Sequence, residues 1–150
     1  MLMIEQAPSS MASAAACNEW IDSSRHTGVR ICRASLACAI VNVKPGRVGG
    51  YLEARRVHDV CAANSIPVWC GGMLETGIGR AGNVALAALP NFTLPGDTSA
   101  SDRYYKEDVT EPFVMRDGRL RVPEGPGLGV EPLPDVLEGL TTGVETLRQA

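Results

Sequence analysis

The chain has 150 residues, with 14 Lys and Arg against 17 Asp and Glu and a formal net charge of −3. That length suits one ordinary domain with a real core. The mild charge, without a basic run or an interleaved aromatic stripe, argues against a nucleic-acid footprint. The five cysteines (Cys17, Cys32, Cys38, Cys61 and Cys70) make no Cys-x-x-Cys pair. Neither a zinc ribbon nor a redox motif is therefore expected, and a reduced, cytoplasmic setting is the simpler reading.

Met1 to Ile4 reads as a strand already under way at the first residue, ending at Glu5 and Gln6. It has no basic leader and is far too short to span a bilayer, so neither a signal peptide nor a membrane anchor is expected. A strand with no lead-in suggests that further chain precedes it. Residues 7–20 are rich in Ala and Ser and fit a weak helix or a loop. The run from Ile21 to Ser24 fits a strand tip followed by a helix cap, and residues 27–38 give a poor helical pattern.

From residue 39 the signals sharpen. Ala39 to Val43 is a short apolar, β-branched run, which predicts a buried strand. Pro45 cannot donate to a sheet ladder, so the strand must stop there, with Lys44 at its carboxyl end. Alternation places Ile40, Asn42 and Lys44 on one face and Ala39, Val41 and Val43 on the other. Gly46, Gly49 and Gly50 predict a tight turn into the next helix. A lysine at the carboxyl tip of a buried strand stands where α/β folds keep their chemistry; a lysine that snorkels to solvent is the ordinary alternative. The glycines do not form Gly-x-Gly-x-x-Gly, so they make a poor case for a phosphate cradle.

Tyr51 to Asn64 predicts an amphipathic helix with Ala54, Val57, Val60 and Cys61 as its apolar stripe. Ile66 to Cys70 predicts a second strand, closed by Gly71 and Gly72. Residues 73–80 read as a glycine-punctuated loop, residues 81–89 as a small-residue helix, and Asn91 to Leu94 as a third strand. Strand, helix, strand, helix, strand at this spacing implies βα units and a parallel sheet. Beyond Asp97 the character changes: a polar stretch, a hairpin from Phe113 to Val122 around Asp117-Gly118, a Pro/Gly-rich run, and a final helix over residues 134–148.

Four stretches, VNVKPGRVGG (41–50), VWCGGMLETGIGRA (68–81), NFTLPGDTSAS (91–101) and VPEGPGLGVEP (122–132), closely resemble the carboxyl-terminal part of o-succinylbenzoate synthases and N-succinylamino acid racemases. These form part of the muconate-lactonizing branch of the enolase superfamily. The resemblance is dense over residues 39–133, and Leu2 to Gln6 also resembles the end of the family's fourth barrel strand. It implies an α/β fold, the carboxyl-terminal portion of a (β/α)7β TIM-like barrel covering about strands four to eight, without the amino-terminal capping domain. The implied division is a partial barrel over 1–133, divergent over 7–38, and a helical tail over 134–150.

The resemblance also implies roles. The family removes a proton next to a carboxylate and holds the enediolate on a divalent metal, magnesium or manganese, because such a proton is too weakly acidic to leave without charge neutralisation. Lys44 matches the sixth-strand lysine, a base in racemisation or a stabiliser of the enediolate in the synthase reaction. Glu5 matches a metal carboxylate. Asp22 is the nearest match to another, with an ordinary helix cap as its alternative. Gly71, Gly72, Met73 and Leu74 match the loop lining the pocket for a succinyl arm. Glu75 matches too, either in a direct role or as a solvated or capping carboxylate. The implied substrate is a small carboxylate with a succinyl or N-acyl arm. Dipeptide epimerases place Asp-x-Asp where this chain has Asp97-Thr98-Ser99, which favours an acylated substrate. His58, Trp69 and Cys70 are expected to be structural.

Full-length members of the family are homo-oligomeric, and a part of the barrel is expected to self-associate through unpaired strand edges. The family's paired Lys-x-Lys is not found in this sequence, so the chain by itself is expected to be inactive. A cycloisomerase or epimerase of the same branch, or a non-catalytic half-barrel, are the other readings.

Overall fold

A computed structural model of the protein describes residues 38–147. Glu5 and Asp22 lie outside the described residues, as do the expected first strand and the segment over 7–37. The described chain forms two compact units, residues 38–72 with 86–98 and residues 73–85 with 99–147.

The first unit is a βαβ arrangement. Strand β1 (Val41–Val43) runs parallel to β2 (Val68–Cys70), with Val41 opposite Val68, Asn42 opposite Trp69 and Val43 opposite Cys70. Both strands are shorter than the sequence predicts. Pro45 stops β1 as expected, yet it also opens a four-residue helix, α1 (Pro45–Val48), because its fixed φ suits the first helical position. Gly49 then closes α1 at φ 93° and Gly50 precedes α2 (Tyr51–Ala63) at φ 102°. A β-carbon disfavours both conformations, so the paired glycines are what let two helices follow each other with so little chain between them. Asn64 ends α2, its Nδ2 donating to the Val60 carbonyl at 2.8 Å.

The buried faces of these elements make one core from Val41, Val43, Val48, Ala54, Cys61, Ile66, Val68, Cys70 and Leu86, with Val57, Val60, Leu89 and Phe92 packed at its edge. The predicted stripe of α2 is therefore the buried one. Cys38, Cys61 and Cys70 are buried and free of disulfides, small apolar fillers in a core of small side chains.

The third strand expected over Asn91–Leu94 does not form. Within that stretch the Asn91 carbonyl accepts from Val68 N of β2 at 3.2 Å, and three residues past its end Asp97 N donates to the Cys70 carbonyl at 3.3 Å. Between them Phe92 N turns back to Leu89 O at 3.0 Å, and Pro95 has no N–H to give. Against this segment sits His58, buried, as the sequence expects of a structural residue. Its Nε2 accepts from Asn91 N at 3.2 Å, its Nδ1 lies 2.8 Å from Asp59 Oδ1, and its ring stacks on Phe92 with centroids 5.4 Å apart.

In the second unit, helix α3 spans Gly77–Ala87, its last two residues counting with the first unit. It begins four residues earlier than expected, so the stretch from Gly77 to Arg80 is helix and not loop. The reason is tertiary: Thr110 Oγ1 occupies the place a side chain at residue 77 would need, and buried Asp108 accepts the Gly77 N–H at 2.8 Å. Glycine costs helix propensity at this end and is required there all the same. Asp108 also accepts from Val109 N at 2.8 Å and from Ser101 Oγ at 2.6 Å, and Ser101 Oγ in turn accepts from Phe113 N at 3.0 Å. Ala81, Val84 and Phe113, with Leu120 and Val130 alongside, form the small core.

The turn is where the sequence predicts it, but the hairpin expected over Phe113 to Val122 is reduced to one bridge. Arg116 and Arg119 pair antiparallel, and Asp117 (φ 49°) and Gly118 (φ 73°) make the two-residue turn with both φ positive that matches strand twist. The last helix, α4 (Pro134–Leu140), is shorter than expected. It stops before Thr141-Thr142-Gly143, a β-branched pair and a glycine that continue a helix poorly. Among the described residues no helix is long and apolar enough to cross a membrane.

Two expectations follow. Asp108→Ala strands a buried backbone N–H and a hydroxyl, and should cost about 2–4 kcal/mol of stability in urea unfolding. Asp59 is held below the usual carboxylate range, first by the His58 hydrogen bond against slight desolvation, and also by the Arg55 charge. A depressed carboxyl stabilises the fold above its unfolded value, near pH 4, and that contribution is lost as the pH falls through the lower folded value. Asp59→Asn should therefore reduce stability at neutral pH by only about a few tenths of a kcal/mol, given its exposure, with the difference from wild type vanishing in acid.

Candidate functional site

Lys44 follows β1 directly and is the last extended residue before α1, with φ −115° and ψ 108°. The parallel pairing carries one residue further on the neighbouring chain, since Gly71 N donates to the Val43 carbonyl at 3.0 Å. The residues that end β2 therefore lie beside Lys44. Its Nζ donates to the Gly72 carbonyl at 2.8 Å. The sequence left two readings of this lysine open, and in the structure its ammonium has a backbone carbonyl as partner. A snorkelling lysine reaches past its surroundings to water.

Gly71 explains how the lysine lies so close. A β-carbon at residue 71 would stand 2.6 Å from Lys44 Cε and 2.7 Å from Lys44 Cγ, with Asn42 Oδ1 closer still. Any side chain there would push the lysine arm away. Gly72 is held from its other end, its N–H donating to Asp97 Oδ1, and its own missing β-carbon faces the Asp97 carbonyl at 3.0 Å. Gly96 is constrained in the same way by the Cys70 carbonyl, 2.8 Å from where its β-carbon would be. The structure thus brings Lys44, Gly71 and Gly72 together, and adds Asn42, which the sequence had placed on the face of Lys44 without a role, and Asp97, which it had read only as bearing on the substrate's acyl arm. The signal for Asn42 was available: it lies two residues before Lys44, on the same face of the strand. The Asp97 contact is long-range and left no trace in the spacing.

Met73, Leu74 and Glu75 belong to the second unit. Met73 and Leu74 are exposed, and the Leu74 carbonyl accepts from the Tyr105 hydroxyl at 2.6 Å. Both oxygens of Glu75 are engaged inside this unit, Oε2 by Met73 N at 2.7 Å and Oε1 by Asn83 Nδ2 at 2.9 Å. In this arrangement the carboxylate fixes the loop ahead of α3. Arg80, almost completely buried, helps: it donates to the Glu75 carbonyl at 2.8 Å, to the Ser99 carbonyl and to Ser99 Oγ at 3.3 Å. With its two terminal nitrogens on these oxygens the buried guanidinium organises backbone, while its Nε has no partner among the described residues.

Among the described residues no group of three or more His, Cys, Asp or Glu side chains is arranged to hold a metal ion. The carboxylates expected as metal ligands, Glu5 and Asp22, fall outside the described residues.

Known proteins share the fold of this chain. The enolase C-terminal domain-like family matches residues 18–136. An N-succinylamino acid racemase from an Amycolatopsis species is 76% identical over 106 residues, covering 71% of this chain and 29% of the relative. An o-succinylbenzoate synthase from Bacillus subtilis (strain 168) is 51% identical over 114 residues, covering 75% of this chain and 31% of the relative. The crystal structure of an enolase-superfamily protein from Listeria innocua Clip11262 superposes with a TM-score of 0.74 at 44% identity, over 79% of this chain and 32% of that one. The chain spans about three-tenths of the length of these relatives. Its α/β fold is that of their carboxyl-terminal part, and the relatives are lyases and isomerases of the enolase superfamily. This chain belongs to the enolase C-terminal domain-like family.

Proposed function

We propose that the chain is the carboxyl-terminal part of an o-succinylbenzoate synthase or N-succinylamino acid racemase. In this reading residues 1–133 supply about strands four to eight of the barrel and residues 134–150 a helical tail. The observation that carries it is the placement of Lys44, at the carboxyl end of β1 with Nζ 2.8 Å from the Gly72 carbonyl, in a chain so similar to a racemase of that name.

The reaction class is proton transfer at the carbon next to a carboxylate. Lys44 takes up or returns the proton at Nζ, while the Gly72 carbonyl receives an N–H of the charged form and aims it. A lysine works in this way when its surroundings ease loss of the proton, as burial and neighbouring cations do. Gly71 keeps the lysine arm against the strand end, and Asp97 fixes Gly72. The chain contributes Gly71, Gly72, Met73 and Leu74 to the lining for the succinyl or N-acyl arm, with Glu75 holding that loop in shape. Glu5 and Asp22 would hold a divalent ion, magnesium or manganese, which when bound supplies positive charge beside the substrate carboxylate.

The sequence has two lysines, at 44 and 106, and so no Lys-x-Lys pair to serve the opposite face of the substrate. Purified chain should therefore give no o-succinylbenzoate formation and no racemisation of N-succinylamino acids with added Mg²⁺, and clear turnover would overturn this part of the reading. A chimera in which residues 39–133 replace the matching segment of the Amycolatopsis racemase should be active. Lys44→Met in that chimera should lower kcat by about 10²- to 10⁴-fold, the usual worth of a positioned acid or base, with the fold unchanged by circular dichroism. Retention of full activity would remove Lys44 from the mechanism.

A further inference from the structure

On the face of β1 that carries Lys44 there is a second polar side chain to which the function above gives no task. Asn42 lies two residues before Lys44, and Oδ1 of its carboxamide is buried without a hydrogen-bond partner. A buried acceptor left unpaired is costly, and such groups usually have a partner in some state of the molecule. The same oxygen is the nearest atom to the point where a Gly71 β-carbon would stand, and Lys44 Cε and Cγ lie 2.6 and 2.7 Å from that point. The two side chains therefore converge on the space that residue 71 leaves empty. An ammonium has three donors, and among the described residues one of them goes to the Gly72 carbonyl.

We propose that Asn42 is a positioning residue for Lys44: its Oδ1 accepts an N–H of the Lys44 ammonium when the last torsion of the lysine turns away from Gly72. The charged lysine then has two seats, one on each side of the empty Gly71 position, and the neutral lysine needs neither. Asp97, bonded to the Gly72 N–H, is the ionisable group on the adjoining segment and stays unchanged in every variant below. The inference rests on Lys44 being the proton-carrying group of the proposed function, but its test does not require turnover.

Because the chain contains two lysines, selective ¹³Cε,¹⁵Nζ-lysine labelling gives two side-chain signals, and Lys106→Arg assigns them. In a pH titration of the full chain, Asn42→Leu keeps the size and removes the acceptor. It should lower the Lys44 midpoint by about 0.3 unit, the loss of one of two comparable seats for the charged form, and leave Lys106 where it was. Asn42→Asp keeps an acceptor and adds charge, and should raise the Lys44 midpoint. An unchanged Lys44 midpoint in folded Asn42→Leu, judged by the backbone amide spectrum, would reduce Asn42 to packing and overturn the inference. If Asn42→Leu fails to fold, Asn42→Asp decides alone: a midpoint that does not rise overturns it. An active Lys44→Met chimera would instead sink the proposed function and leave the measured Asn42–Lys44 coupling standing.

Discussion

The contact between Lys44 Nζ and the Gly72 carbonyl is the constraint on which the rest of the site depends. It requires that β1 and β2 be parallel and in one particular register, since only then does the end of β2 lie beside residue 44. It requires also that residue 71 have no side chain, because Lys44 Cγ and Cε occupy the space. The register in turn is set by the buried alternation of Val41, Val43, Val68 and Cys70, and a slip of one residue would turn Lys44 to the other face. A hydrophobic pattern thus fixes the position of a charge.

The same logic operates in the second unit with different chemistry. There a buried carboxylate, Asp108, gathers two backbone N–H groups and a hydroxyl, while buried Arg80 gathers carbonyls. Neither is paired with an opposite charge among the described residues; Asp108 is met by backbone and hydroxyl donors, while Arg80 uses both terminal nitrogens on backbone and hydroxyl oxygens and leaves its buried Nε without a partner. Each unmet donor or acceptor subtracts from what such groups contribute to the fold. They suit a segment with few large apolar side chains, where Ala81, Val84 and Phe113 form so small a core.

What could be read in the sequence followed from local rules. Pro45 marked the end of β1, the stripe at 54, 57, 60 and 61 marked the buried face of α2, and Asp117-Gly118 marked the hairpin turn. Misreadings came where a distant group overrode a local preference. Gly77 and Gly79 suggested a loop, but Asp108 and Thr110 make residue 77 the start of a helix. Asn91 to Leu94 had strand composition, but Pro95 and the turn at Leu89 leave the segment one backbone bond to β2, at Asn91, and no ladder. Residues 134–148 looked helical throughout, and the helix stops at Leu140.

By itself the sequence determined the family, the βα succession and the candidacy of Lys44, because motifs, proline stops and apolar periodicity act over a few residues and are written in order along the chain. Only the tertiary structure decided what surrounds that lysine: the Gly72 carbonyl as its partner, the Gly71 slot, Asp97 as the clamp on Gly72, and the unpaired oxygen of Asn42. These contacts join residues up to 28 positions apart, such as Lys44 and Gly72. They exist because two strands were brought into parallel register by the burial of their other face, and a linear pattern carries no record of which carbonyl such packing will bring within reach.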